Sequence, residues 1–559
     1  MPWVQIYDPL GRAWLSTLAA ALPTGLLLVT LAALKWPAHR AALLGLFAAV
    51  AVSIGVFGMP VSAAVATALY GAAYGLFPIG WIVLCAIFLY NLSVKSGTFD
   101  TVKRSVARLS GDRRIQALLI AFSFGAFIEG CAGFGAPVAI SAALLTGLGF
   151  AARNAATLAL IANTAPVAFG SIATPIFTLA AVTGLPASTL GAMAGRQLPF
   201  VSVLVPAWLV VTMSGWRGLR GVWPAVVVCG GSFAFVQFAW SNAVGPELVD
   251  IAGALVSLGA VTLLCLWWQP PDGDGEASRA AAPADGPALH ARDVVRGWLP
   301  WILLTVCVTL WGAPPIKAAL GRPSWSAPQF EVPALHRRVF REFPVVPAPV
   351  DRTRLEEPGY RNARGESAVF TLNWLSATGT SVLCAAFATV LLLRMRRRDV
   401  VEVAAGTVRQ MRVPLVTIAT MMALGFVTRY GGTDATLGLA FTKTGWLYPF
   451  FAAMLGWLGV ALTGSDTSAN AMFGSLQKIT AQQLNLNPIL ITAANSTGGV
   501  MGKMIAAQTI VVATAATGQQ GEEGALLRSV FWHSLALAAI MGLIVMAQAY
   551  LVPWMVPTR

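Results

Sequence analysis

Gly125-Ala-Phe-Ile-Glu-Gly-Cys-Ala-Gly-Phe-Gly-Ala-Pro-Val-Ala-Ile140 decides the reading of this chain, with a companion at Leu462-Thr-Gly-Ser-Asp-Thr-Ser-Ala-Asn-Ala-Met-Phe-Gly474. Each lies in a long apolar run and carries one carboxylate, Glu129 or Asp466, among glycines and small polar residues that weaken a helix. A charge beside breakable backbone at membrane depth is costly, and it persists where helices are interrupted around a buried polar site. The two stretches therefore predict a multi-span carrier with its pocket between them.

Composition agrees. Of 559 residues, 57% are hydrophobic and 11% charged, and mean hydropathy is +0.71, whereas soluble domains carry roughly a quarter charged residues. The fold class is an all-α polytopic membrane protein. Net charge is +14, but the Lys and Arg residues sit in short loops between apolar runs, as the positive-inside rule expects. No basic face with interleaved aromatics exists, so no nucleic acid is expected as a partner. All six cysteines lie in apolar segments without a CxxC pair and read as core residues. No HExxH, Gly-x-Ser-x-Gly or Walker pattern occurs, and there are only four histidines, so neither an enzyme nor a metal or other cofactor is expected.

Apolar runs predict roughly 12 to 16 transmembrane or re-entrant helices at about 20 residues per span. They include Ala41–Phe57, Pro78–Val94, Gly135–Phe150, Asn154–Gly184, Val369–Leu393, Asp466–Leu484 and Asn487–Gly518. The basic loops 95–114 and 394–412 set the cytoplasmic side, which places both termini on the far side. The chain divides into an N-terminal membrane half (1–268), a cytoplasmic Pro/Ala/Gly linker (269–296), a span (297–312), an extracytoplasmic loop (313–366) and a C-terminal half (367–559). Within the linker, Asp272-Gly-Asp-Gly-Glu276 lacks the spacing of a calcium loop. Laying Gly130 on Gly464 also lays Gly184 on Gly518, and Asn163-Thr-Ala-Pro-Val-Ala-Phe-Gly170 falls near Asn495-Ser-Thr-Gly-Gly-Val-Met-Gly502. Repeat units at about 115–184 and 446–518 then enter the membrane from opposite sides, as inverted copies with broken helices at the site.

Glu129 and Asp466 are the proton-coupling candidates, since burial moves a carboxyl group toward titration near neutral pH. A structural pairing for Glu129 and an ordinary helix N-cap around Asp466 are the plainer alternatives. Ser465 and Thr467 stand where a helix N-terminus would offer amides and hydroxyls to a carboxylate. Asn163-Thr164 and Asn495-Ser496 repeat an amide, a hydroxyl and then a breaker, a pattern that also suits interhelical hydrogen bonding. Lys503, the only lysine of its apolar run, can snorkel, pair with Glu129 or Asp466, or face an anion. These seven are the substrate-contact candidates. Arg196 reads as an interfacial anchor and His533 as a hydrogen-bonded structural residue.

At these motifs the chain resembles the L-lactate permease family, the lactate/glycolate proton symporters of bacterial inner membranes. The likeness runs through Tyr7-Asp-Pro9, Phe124-Gly-Ala-Phe-Ile-Glu-Gly130, Gly133-Phe-Gly-Ala-Pro-Val-Ala139, Gly195-Arg-Gln-Leu-Pro-Phe200, Leu462-Thr-Gly-Ser-Asp-Thr-Ser468 and Gly498-Gly-Val-Met-Gly-Lys-Met504. It implies L-lactate and protons as cargo and the lipid bilayer as surroundings. A sodium-coupled organic-anion carrier or an anion channel is the alternative.

Overall fold

Backbone amides removed from water must bond within their own segment, and the apolar runs of this chain meet that demand as helices. The computed structural model describes residues 2–32, 34, 36–133, 135–270, 290–322 and 325–557. Most of the linker, including its Asp272 to Glu276 motif, and Phe134 lie outside the described residues.

After β1 (Trp3–Val4), α1 (Ala13–Ala32) packs on α2 (Ala38–Gly55). Between the expected spans at 41–57 and 78–94 stands a helix the hydropathy reading passed over, α3 (Val61–Tyr74), which continues through a break at Phe77 into α4 (Trp81–Lys95). Its alanines and glycines lower local hydropathy but let it press against a long later helix. The amphipathic α5 (Thr98–Ala107) buries Phe99, Val102 and Val106 and leads to the first repeat.

That unit starts with α6 (Arg113–Gln116), which continues through 117–124 into α7 (Gly125–Cys131). The chain turns back at 132–135 into α8 (Ala136–Gly147), then α9 (Ala152–Ala162), an unwound stretch, and α10 (Gly170–Thr183). Next come α11 (Ala187–Ala243), broken at Gly215 and Val222 into two spans, α12 (Val249–Trp267) and α13 (Ala291–Gly312). The short α14 (Pro314–Gly321), β2 (Gln329–Glu331), β3 (Val339–Phe340), α15 (Pro358–Arg364) and β4 (Val369–Thr371) follow, then α16 (Thr378–Leu392). Here β1 pairs parallel with β3, and β2 antiparallel with β4 in the register Phe330 to Phe370. The expected span 369–393 is thus corrected: its start is a half-buried strand and only 378–392 is helix, because Asn373 to Ala377 forms a turn.

α17 (Arg397–Gly431) is a ruler between the two faces of the molecule. Near its start Glu402 accepts from Lys95 at 3.1 Å, and near its end Arg429 stands 3.3 Å from Glu366 beside the strands. Thirty-five residues at about 1.5 Å each exceed a hydrocarbon core of roughly 30 Å. One face therefore bears the basic loops and the other bears the strands, and both described chain ends lie on the strand face.

After α18 (Thr433–Phe441) the second unit repeats the path of the first, as α19 (Tyr448–Thr463), a break, α20 (Asp466–Gln483), α21 (Pro488–Gly502), a break, and α22 (Ala507–Ala516). The last helix is α23 (Glu523–Tyr550). α8 and α22 pack together and run to the basic face, where Arg113 covers Phe150 and Arg153 donates to the carbonyl of Ala525. α10 and α20 pack together and run to the strand face, where Lys478 donates to Thr183 O and Gln483 to Pro344 O. Each unit lends its returning helix to the other's second broken half, which is the packing of an inverted pair. Gly184 and Gly518, aligned from sequence, close the two units with φ of 68° and 70°.

Close approach within the second unit depends on glycine. A Cβ on Gly456 would lie 1.9 Å from Asn495 O, and one on Gly498 would lie 2.1 Å from Ala453 O, so α19 and α21 touch backbone to backbone. Among the described residues ten helical stretches are long and apolar enough to cross a membrane, or up to twelve counting the bent pairs 152–183 and 488–516. Twelve is the lower edge of the expected range, and the difference has a plain cause. The expected spans 135–150 and 466–484 are return arms of hairpins: α8 has only 12 residues, and α20 returns to the face from which α19 came.

Candidate functional site

The two hairpin tips and the two helix breaks converge on a cavity of about 430 Å³. Glu129 and Gly135 come from the first tip, Thr463 to Ser468 from the second, Ser171 and Thr174 from the first break, and Lys503 and Gln508 from the second. Pro414 and Thr417 on α17 form a further wall. The lining reaches Pro37 to His39 at the α1–α2 turn and Val512 on α22, both toward the basic face, while no described residue of 325–372 lines it.

Local sequence explains how the acids arrive there. Ser171, Ile172 and Ala173 adopt φ of 46° to 58°, so α10 starts with left-handed backbone that unwinds the chain after Pro166. Such strain persists only where surrounding packing imposes it. Ser171 Oγ donates to Ala132 O at 3.0 Å, tying this turn to the first tip. Glu129 is 2% exposed and lies on the unwound backbone: a Cβ on Gly170 would stand 2.6 Å from its Oε1. Lys503, 7% exposed, donates from Nζ to that same Oε1 at 2.7 Å, which joins the two repeats through one buried ion pair. Glu129 Oε2 has no hydrogen-bond partner among the described residues.

At the second tip, Gly464 (φ 75°) ends α19 and Ser465 caps α20, its Oγ accepting from Ser468 N at 3.3 Å. Asp466 Oδ2 accepts from Ser496 Oγ at 2.5 Å and from Asn470 Nδ2 at 3.4 Å. Ser465, Thr467, Lys503 and both acids therefore share one cavity. The other candidates stand elsewhere. Asn495 donates to Asn470 Oδ1 at 2.8 Å and accepts from Gln477, while Asn470 donates to Pro175 O; these amides lock α20, α21 and α10 together. Ser496 stands behind Asp466. Thr164 Oγ1 donates to Ile161 O, and Asn163 is 4% exposed with neither polar side-chain atom bonded among the described residues. None of these four lines the cavity in this conformation.

Sequence reading passed over two features. Asp250, at the start of α12, is 1% exposed beside Gly130, with neither oxygen bonded among the described residues; a lone acid in an apolar run was its available signal. On the strand face, Glu366 meets Arg341 at 3.0 Å and Arg429 at 3.3 Å, and Arg429 also donates to the carbonyls of Ala181 and Val182 at the end of α10. Burial works to raise the Glu366 carboxyl, yet the guanidiniums of Arg341 and Arg429 hold it below the usual carboxylate range. The cluster fastens the strands over the ends of α10 and α20 and closes that side. Arg196 donates to Asn242 and to Met555 O, and Trp208 donates to His533 Nδ1 at 2.9 Å, so both act as structural ties. Among the described residues no group of three His, Cys, Asp or Glu side chains is placed to hold a metal ion.

Comparison with known proteins matches residues 16–552 to a family described as L-lactate permease. The chain is 46% identical over 565 residues to glycolate permease GlcA of Escherichia coli (strain K12), covering 98% of both. It is 44% identical over 563 residues to the L-lactate permease of the same strain, covering 99% of this chain and 100% of that one. With the L-lactate permease of Bacillus subtilis (strain 168) it shares 43% over 583 residues and the full length of both.

Proposed function

We propose that this chain, which belongs to the L-lactate permease family, is a secondary carrier that imports L-lactate and related 2-hydroxy monocarboxylates such as D-lactate and glycolate in symport with protons. One observation carries the reading: a buried ammonium, Lys503, faces a cavity bounded by two inverted broken-helix units and is held there by a carboxylate from the opposite unit. The substrate carboxylate would meet Lys503 and the N-terminus of α20, and the adjacent hydroxyl would meet Ser465, Thr467 or Ser468. Glu129 and Asp466 are the proton-coupling acids. Asn495 and Ser496 support the second tip from behind; a contact role for Asn163 and Thr164 would need the first break to turn toward the cavity in another state. No chemical step is assigned, and the cargo leaves unaltered.

Coupling has an energetic reason. An inside-negative potential opposes anion entry by about 2.3 kcal/mol per charge per 100 mV. One co-transported proton cancels that cost and adds about 1.4 kcal/mol per pH unit of gradient. We place the basic loops in the cytoplasm of a bacterial cell inner membrane and the strands and both termini in the periplasm. The cavity would then open inward, and the divisions 1–268, 269–296, 297–312, 313–366 and 367–559 keep their assigned sides.

Labelled L-lactate uptake into proteoliposomes under an imposed acid-outside step tests this. Accumulation abolished by a protonophore and unchanged when choline replaces sodium is expected. Sodium dependence would replace the proton reading, and flux without accumulation would mean a channel.

A further inference from the structure

Resting on that reading of the substrate, we infer that Lys503 is a shared counter-ion: the substrate carboxylate takes it from Glu129, and Glu129 takes up a proton in the same binding event. Among the described residues lining the cavity, Lys503 is the only Lys or Arg side chain. Its ammonium is already committed to Glu129 Oε1. A second carboxylate entering the cavity must compete for it, and a buried carboxylate deprived of its partner is expensive to leave charged. The balance is Glu129 carboxylate paired with Lys503, plus one proton and one substrate anion, going to protonated Glu129 and a Lys503–substrate pair. Site charge is the same before and after, so a full transport cycle moves no net charge across the membrane.

Of the two coupling acids, Glu129 is the one whose counter-ion the substrate takes. Asp466 on α20 keeps Ser496 and Asn470 as donors whether or not Lys503 is engaged. Asp250 on α12 feels the charges of both Glu129 and Lys503, but neither it nor Cys131 on Glu129's own helix lines the cavity or is ion-paired with Lys503 among the described residues. α8 and α10, which pack on α7, contain no charged residue, Arg153 on α9 is bonded to Ala525 O, and Lys95 on α4 is bonded to Glu402. Because Glu129 and Lys503 belong to different repeats, the swap also releases an ion pair that joins the units across the cavity, which ties substrate loading to their relative movement.

Calorimetry of L-lactate binding to the purified full-length carrier, in two buffers of different ionisation enthalpy, reads the proton directly. The expected result is one proton taken up per lactate, with apparent affinity weakening about tenfold per pH unit in the alkaline range. Glu129→Gln should bind lactate with no proton uptake and a flat pH profile. Wild-type binding without proton uptake, or undiminished uptake in Glu129→Gln, overturns the swap while leaving the lactate reading intact. A wild-type carrier that binds neither lactate nor glycolate overturns the substrate reading, and this proposal with it.

Discussion

Lys503 and Glu129 lie 374 positions apart in the chain, yet the Nζ of one stands 2.7 Å from the Oε1 of the other, with side chains 9% and 3% exposed. Removing one member of a buried pair leaves an uncompensated charge and costs about 3–5 kcal/mol, whereas removing both costs far less. Lys503→Met should therefore lower the thermal midpoint of the detergent-solubilised carrier much more than the double variant Glu129→Gln/Lys503→Met. Equal losses in the two would mean that the pair contributes only packing.

Gly498 and Gly456 hold α19 and α21 at backbone contact, so Gly498→Ala must push the helices apart. Overpacking of this kind costs about 1–3 kcal/mol, and size-exclusion yield together with thermal midpoint should fall. Gly25→Ala in α1, where an added Cβ meets nothing within 4 Å, serves as the control. There the helix-propensity gain of about 1 kcal/mol should leave stability unchanged or raised.

The Glu366 latch has a pH signature. A carboxyl group whose native pKa is depressed contributes stability that is present above its unfolded value of about 4.3 and lost as pH falls through the native value. The wild-type advantage over Glu366→Gln, about 2 kcal/mol for charged hydrogen bonds, should be constant from pH 8 to 5 and should vanish in stronger acid. Limited proteolysis of the 325–372 region across that range measures it.

Ser465→Ala removes the acceptor that caps α20, at about 1 kcal/mol. If the substrate carboxylate rests on that helix end, KM for L-lactate should rise roughly fivefold, and Ser465→Thr, which keeps the hydroxyl, should restore it. An unchanged KM in uptake assays would place the anion on Lys503 alone.

Much of this architecture is legible in the amino-acid sequence. Glu129 and Asp466 each stood out as an acid among glycines, and both line the cavity. Gly184 aligns with Gly518 in the repeat, and the structure gives both left-handed backbone. What misled was segment length and kind: α8 is apolar but too short to span, and α3 was passed over. Asn163 and Asn495 share a motif, yet the side chain of one has no partner among the described residues and that of the other is locked in a chain of amides, a difference set by which helices pack around each.

The amino-acid order determined that this chain enters a membrane, where its helices break, and which acids and lysine are carried to depth, because transfer free energy and backbone freedom are local properties of residues. It did not determine who faces whom. Hydropathy measures the cost of leaving water and is blind to what replaces it: the 18 residues 114–131 look like any lipid-facing span, but they are wholly enclosed by protein. Only the reciprocal packing of α8 on α22 and α10 on α20 brings Lys503 of one repeat to Glu129 of the other, since an ion pair across so many residues depends on the closure of the whole bundle.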